Sequence, residues 1–349
     1  MFRSKSKGLF VDVSEFSILA ARTTGHKPPM EVREIAELPL GPSVGSEEIQ
    51  AFLKNLVDYK EGGYIVSRCG VYPDKRFLRY HELESSKKSR GPVDLTNILR
   101  NEYGIDTDAC MISIMDAQDG AEYVPGEGQA RKLVICGAPT EEVQKKQDML
   151  LQYGLFPERL EISTMTTLGG ICDYARFQGL DSPVLSLELT SDVTNVFIQN
   201  RGKVEMARPV AFGLDSIYPL LQKELGLKDE ASARKLFFSN TFDFAEMGSK
   251  LLREITKELQ ASTGFYEVRT GQTIDRIFLS ALPQNLMWVA NTVSDALGVE
   301  LLQPDIEEWM KSLNVNLADG VEVNKLGPRW FALFSLMGEF SLRKEASGE

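Results

Sequence analysis

One pattern occurs twice along the chain and limits what it can fold into. Gly8-Leu9-Phe10-Val11-Asp12-Val13-Ser14-Glu15-Phe16-Ser17-Ile18-Leu19-Ala20 reads as a strand, a tight turn and a returning strand. Residues 183–198, from Pro183 to Ile198, read the same way. In each, an acidic residue (Asp12, Glu188) ends an apolar run, a hydroxyl residue (Ser14, Thr190) follows two places later, and an apolar strand returns. A small polar turn closes each unit, Thr23-Thr24-Gly25-His26-Lys27 in one and Asn200-Arg201-Gly202-Lys203 in the other. Two hairpins of one design, one near the start and one past the middle, ask for two α/β lobes, each a mixed sheet flanked by helices.

A chain of 349 residues is long for one core and comfortable for two. With 43% hydrophobic and 26% charged residues it reads as an ordinary soluble globular protein. The net charge of -11 argues against nucleic acid or an anionic membrane surface as the main partner. The basic start, residues 1–7, leads into a strand rather than into the apolar core of a signal peptide. No apolar run approaches the roughly 20 residues of a membrane span, so a cytoplasmic setting is expected. Cys69, Cys110, Cys136 and Cys172 include no CxxC pair and read as free, buried thiols. The two histidines, His26 and His81, have no ligand-spaced neighbours, which weighs against a zinc site or a histidine triad.

Periodicity and punctuation place a helix over 46–56 with Ile49, Phe52, Leu53 and Leu56 inward, and a strand over 64–71. Residues 73–92 read as a short strand and a charged, mobile loop, followed by a helix over 93–103. A strand over 110–116, a Gly-rich hairpin over 119–128 and a strand over 131–138 come next. Thr140-Glu141-Glu142-Val143 has the capping-box pattern for a helix stopping at Gly154. The block 73–160 is expected to be a small α+β insert, and 161–177 to lead into a helix. The first lobe then covers 1–182 and the second 183–325. Within the second lobe the expected order is a strand ending at Gly213, helices over 214–225 and 230–237, and one long helix over 244–269. A strand over 276–280, a helix over 286–297, a strand over 299–302 and a helix over 305–313 follow. Residues 326–349, with a helix over 330–340, return to the first lobe.

In this order the chain resembles the PilM family of type IV pilus assembly proteins, which is similar to the cell-division protein FtsA and has the actin-like fold. The residues that carry the resemblance are Lys132-Leu133-Val134-Ile135-Cys136-Gly137-Ala138-Pro139-Thr140-Glu141-Glu142-Val143 with Tyr153-Gly154-Leu155-Phe156-Pro157, then Leu252-Arg253-Glu254-Ile255-Thr256-Lys257-Glu258-Leu259 with Phe265-Tyr266, and Asp275-Arg276-Ile277-Phe278-Leu279-Ser280. The resemblance covers about 8–338 and lies in the order of segments more than in any one motif.

It implies a nucleotide gripped by the two hairpin turns, and there the chain departs from the pattern. ATP-binding members carry Asp, any residue, Gly, hydroxyl residues and a Lys in the first turn. Here Asp12 is kept, but Ser14 stands at the Gly position and Leu19 at the Lys position, while Glu15 adds negative charge. A side chain at the Gly position impedes the close approach of amides to phosphate. Loss of the Lys removes a charge-assisted contact worth roughly 1.5–3 kcal/mol. In the second turn Glu188 replaces Asp, Thr190 replaces Gly, Val193 replaces one Thr, and Asp192 adds charge. The Gly-rich adenosine turn is Ala281-Leu282-Pro283-Gln284, whose proline lacks an N–H. Asp12, Ser14, Ser17, Glu188, Thr190, Thr194, Gly213 and Ser280 therefore read as vestigial nucleotide-turn residues, with Ser17, Thr194 and Ser280 acting as structural hydroxyls and Gly213 as a backbone requirement. Arg234-Lys235 reads as a solvated helix face. No catalytic or metal-binding residue is assigned, and any residual Mg-ATP binding is expected to be weak.

The expected function is a scaffold without enzymatic activity. The resemblance implies a cytoplasmic component of a type IV pilus, or related type II secretion, inner-membrane platform that binds the short cytosolic tail of a single-span, PilN-like membrane protein. In that family the tail lies where the insert meets the first lobe. The resemblance also allows self-association, and contact with the membrane is expected only through the partner. The rival reading is an active actin-like ATPase or small-molecule kinase, using Asp12 and Glu188 around Mg²⁺. A third is an FtsA-like filament protein, but residues 342–349 offer no apolar face for a membrane.

Overall fold

Both hairpins form, and each seeds its own sheet. The structure, a computed structural model, describes residues 8–41, 44–57, 63–83, 95–123, 132–239, 241–323 and 326–338. In chain order the first lobe contains β1 (Gly8–Val13), β2 (Ser17–Thr23), β3 (Met30–Pro39), α1 (Ser46–Leu56) and β4 (Ile65–Val71). Then come β5 (Phe77–Glu82), α2 (Leu95–Tyr103), β6 (Cys110–Asp116), β7 (Lys132–Pro139), α3 (Thr140–Gln152), β8 (Leu155–Ile162) and α4 (Ser163–Phe177). The second hairpin is β9 (Val184–Leu189) and β10 (Thr194–Asn200), continued by β11 (Lys203–Val210), α5 (Ile217–Leu225), α6 (Glu230–Phe237), α7 (Gly248–Leu251) and α8 (Arg253–Thr270). The chain closes with β12 (Arg276–Ser280), α9 (Met287–Leu297), β13 (Glu300–Leu301), α10 (Ile306–Ser312), β14 (Val315–Leu317) and α11 (Phe331–Ser335).

The first sheet has the order β14-β3-β2-β1-β4-β8 and the second β11-β10-β9-β12-β13. Without β14 the two orders are the same: an antiparallel meander, then two parallel strands reached through crossovers. β1 and β9 are buried along their whole length because both faces of their sheets are covered, which is why they read as apolar runs rather than as alternations. One core joins the lobes. Leu168, Ile171 and Cys172 on α4 pack with Phe10 and Leu19 of the first sheet and with Phe197 and Phe278 of the second.

A separate three-stranded sheet, β5-β7-β6, forms the insert. It ends at Pro139, short of the expected boundary at Leu160. β8 pairs in parallel with β4, and α3 packs on β8, so both belong to the first lobe. β8 was not expected as a strand because Pro157 and three charged neighbours, Glu158, Arg159 and Glu161, interrupt it. An edge strand tolerates that, and the register slips by one residue between Ser67 and Arg68, opposite Pro157 and Arg159. The second lobe is also shorter than expected. β14 pairs with β3, and Ile306 and Trp309 of α10 lie in the core that includes the first lobe, so the return begins near residue 306 rather than 326.

Other differences are local. Thr140 is the first helical residue of α3 and caps nothing with its side chain, because β7 runs straight into the helix through Pro139. The long helix expected over 244–269 is broken at Leu252 into α7 and α8, and on α8 Tyr266 is buried while Phe265 is exposed. The strand expected to end at Gly213 ends at Val210. Most of the expected charged loop and of the Gly-rich hairpin, and the end of the last helix, lie outside the described residues. Cys69, Cys136 and Cys172 are buried free thiols, and Cys110 is half-buried.

Candidate functional site

The hairpins end in four-residue loops of one design, Ser14 to Ser17 and Thr190 to Val193. Each is closed by its hydroxyl residue. The Ser14 N–H donates to the Ser17 carbonyl (3.0 Å), and Ser14 Oγ accepts from the N–H groups of Phe16 (3.2 Å) and Ser17 (3.1 Å). The Thr190 N–H donates to the Val193 carbonyl (3.0 Å), and Thr190 Oγ1 donates to the same carbonyl (2.9 Å) and accepts from the Val193 N–H (3.4 Å). In both loops, amides that would have to turn toward a phosphate are already bonded to a side chain that a glycine would lack.

The loops also meet each other. Glu15 Oε1 accepts the Ser191 N–H at 2.7 Å, so a carboxylate of the first loop rests on an amide of the second. Burial against the opposite lobe pushes the Glu15 carboxyl up, against the opposing effect of its bonds from Ser191, and Asp192 and Asp215 add to the rise. The Phe16 ring packs against Phe238 just beyond α6, with centroids 5.7 Å apart. The Leu40 N–H fixes the Phe16 carbonyl at 2.7 Å. Around the loops lies a cleft of about 250 Å³ whose lining includes Tyr72, Lys146, Tyr153, Asp192 and Ala281. Its two cations are paired: Lys146 with Asp74 (3.3 Å) and Arg76 with Glu188 (2.8 Å).

The two acids at the strand ends are buried and held by consecutive residues of α4. Ser163 Oγ donates to Asp12 Oδ1 at 2.5 Å, and Thr164 Oγ1 donates to Glu188 Oε1 at 3.0 Å. Gly70, opposite Asp12 on β4, leaves room for the first pair; a Cβ there would stand 2.4 Å from Ser163 Oγ. Burial, opposed by the Ser163 bond and reinforced by the charge of Glu188, pushes the Asp12 carboxyl up to about 7. Glu188 Oε1 also accepts from Asn195 Nδ2 (2.9 Å) and Arg76 Nη2 (2.8 Å). Arg76 comes from the root of the insert, its guanidinium 5.5 Å over the Tyr72 ring. Burial disfavours its charge, but the charge of Glu188 and its bond to it outweigh that and raise its pKa. Sequence reasoning missed Arg76, Ser163, Thr164 and Phe16, because nothing local marks a partner that lies in another lobe.

Thr194, Ser280, Ser17 and Gly213 bond or pack within the protein. Thr194 Oγ1 donates to the Phe212 carbonyl (2.7 Å), Ser280 Oγ donates to the Leu187 carbonyl (3.3 Å), and Ser17 is buried in the loop that Ser14 closes. Gly213 packs on the second loop so closely that a Cβ would sit 2.2 Å from the Ser191 carbonyl oxygen. Ala281, in the turn after β12, holds φ at 63°, a conformation that L residues rarely adopt. Asp12, Glu188, Ser14 and Thr190 thus converge, and each is hydrogen-bonded within the protein. Among the described residues no group of three or more His, Cys, Asp or Glu could hold a metal ion.

A second concavity, about 340 Å³, lies where the insert meets the first lobe. It runs between β6 and β8, which are end strands of their sheets. Met111, Ile112, Ile114, Leu160, Ile162 and Met165 give it an apolar part, and Ser113, Glu122, Arg159, Glu161 and Thr166 a polar part of nearly equal extent. Residues 121–123 cover part of β6 by pairing at Met115 and Ile114.

No protein-family model matches the chain, and no curated protein sequence matches it. Among solved structures, the PilM-PilN type IV pilus biogenesis complex is similar over 97% of this chain and 98% of that one, with a TM-score of 0.65 at 15% identity. The chain has a PilM-like, actin-like fold. A protein from Bacteroides thetaiotaomicron with an actin-like ATPase fold and unknown function is similar over 89% of this chain and 96% of that one (TM-score 0.43, 14% identity). The cytoplasmic domain of EpsL, an inner-membrane component of the type II secretion system of Vibrio cholerae, is similar over 83% and 95% (TM-score 0.36, 11% identity). At these identities the likeness is one of fold. Among the described residues no helix is long and apolar enough to cross a membrane.

Proposed function

We propose that this chain is an adaptor without enzymatic activity that binds the short cytosolic tail of a PilN-like, single-span membrane protein, and is held by that partner at the cytoplasmic face of an inner-membrane platform of a type IV pilus or type II secretion machine. The observation that supports this best is the groove, part apolar and part charged, between β6 and β8. Two strand edges facing one slot offer backbone hydrogen bonds to an extended segment, and Met111, Ile112, Ile114 and Ile162 offer seats for alternate side chains. The similar fold of a PilM-PilN type IV pilus biogenesis complex supports this reading. The self-bonded loops in the interlobe cleft support the absence of ATP hydrolysis.

The test is a calorimetric titration of the full chain with a synthetic tail of the PilN-like protein from the same genome. Met111→Glu, at a half-exposed position in the groove, is expected to weaken binding by about tenfold or more, since a charge enters an apolar seat. Phe265→Glu, on the exposed face of α8, is expected to leave it unchanged. No measurable binding of the tail by the folded parent, or equal losses in both variants, would remove the groove from consideration.

A further inference from the structure

We infer that the tip of the first hairpin, Glu15-Phe16, is a built-in ligand of the second lobe that holds the interlobe cleft closed without nucleotide. The tip supplies two groups that a nucleotide would otherwise bring, an anion and an aromatic ring. The Glu15 carboxylate takes the Ser191 N–H at 2.7 Å, at the turn where the resemblance places phosphate. The Phe16 ring lies 5.7 Å from the Phe238 ring and joins the apolar core of the second lobe, although it belongs to the first. Phe238 follows α6 directly, and its carbonyl accepts Asn285 Nδ2 at 2.8 Å, just past the turn at Ala281. The tip is anchored from behind by the Leu40 N–H and from within by Ser14 Oγ, so little freedom remains to be lost on docking.

The surroundings fit a resident side chain better than an incoming polyanion. Asp192 and Asp215 lie close enough to Glu15 to add to the rise in its proton affinity that burial causes, and Lys146 and Arg76, the cations lining the cleft, are each already paired with an acid. Arg329 adds a second tie. It holds Glu37 of β3 through Nε at 3.1 Å and through a second contact from Nη2 at 2.5 Å, and reaches Gln284 of the second lobe through Nη1 at 2.7 Å. Together these contacts join the lobes in the arrangement that a nucleotide would otherwise bridge. This inference concerns the cleft alone, and stands or falls independently of the ligand of the β6–β8 groove.

The test is amide hydrogen exchange on the full chain, parent against Glu15→Ala, Phe16→Ala and the double variant, each with and without 5 mM Mg-ATP. In the double variant, exchange of peptides covering residues 188–195 and 281–288 is expected to rise by about tenfold or more, the scale of losing one charge-assisted bond together with a ring contact. Peptides from β4 and β7 are expected to exchange as in the parent, and Mg-ATP to change nothing in the parent. Phe238→Ala, which removes the contact from the other side, is expected to raise exchange over residues 281–288 and to add little when combined with Phe16→Ala. If the double variant unfolds, Glu15→Gln with Phe16→Leu carries the comparison. Unchanged exchange over 188–195 in a folded double variant would overturn the inference. So would protection of those peptides by Mg-ATP in the parent, which would show that the tip gives way to nucleotide.

Discussion

Ser163 and Thr164, adjacent at the start of α4, each hold one of the two buried acids: Ser163 donates to Asp12 of the first sheet, and Thr164 donates to Glu188 of the second. One helix start therefore fixes the position of both hairpins. Thr164→Val keeps the shape and removes both the O–H bond to Glu188 and the acceptor for Arg76 Nε (3.2 Å). It is expected to lower unfolding stability by about 1–3 kcal/mol in urea titration, with an unchanged m-value.

The Arg76–Glu188 pair joins the insert to the second lobe with side chains only 8% and 3% exposed. Removal of either partner strands a buried charge, so Arg76→Ala and Glu188→Ala are each expected to cost about 3–5 kcal/mol. Arg76→Met with Glu188→Leu is expected to cost clearly less than the sum of the single losses, and a double-mutant cycle in urea reads the coupling. Because Glu188 steadies the insert that walls the groove, its loss is expected to disturb tail binding indirectly. Glu15→Ala is the cleaner probe of the cleft.

Stability should fall with rising pH through Asp12. Its folded value of about 7 lies above the ordinary 3.8, so the folded state binds the proton more tightly. The contribution is complete below about pH 4 and is lost as pH rises through about 7, a swing of at most about 4 kcal/mol. Asp12→Asn resembles the protonated acid and can still accept from Ser163. It is expected to flatten the decline between pH 5 and pH 8 and to exceed the parent in stability at pH 8, measured by urea midpoints across that range. A decline of the same slope in the variant would assign the titration to other raised acids, Glu15 and Glu161 among them.

Much of the fold was legible because the hairpins, the apolar runs and the helix stops at Gly154 and Gly298 are local signals. β8 was not, since Pro157 and its charged neighbours mask an edge strand. The repeat itself held the missing clue: strand, helix, glycine and strand follow one another both at residues 132–162 and at residues 276–301. β14 is three residues long and exists only by pairing with β3, which no local pattern announces. At the site, Ser14, Thr190 and Glu188 could be found by their spacing. Their partners could not, because Arg76, Ser163, Thr164 and Phe238 reach the site from distant parts of the chain.

The most direct measurement is calorimetric titration of the full chain with the cytosolic tail of the PilN-like protein, run with and without 5 mM Mg-ATP. The expected result is saturable one-to-one binding whose affinity differs by less than about twofold between the two conditions, with no heat from Mg-ATP alone, since Glu15 and Phe16 of the first hairpin already bridge the interlobe cleft. Binding of the tail only when Mg-ATP is present, or a tenfold or larger dependence on it, would contradict the proposal and mark the chain as a nucleotide-switched protein.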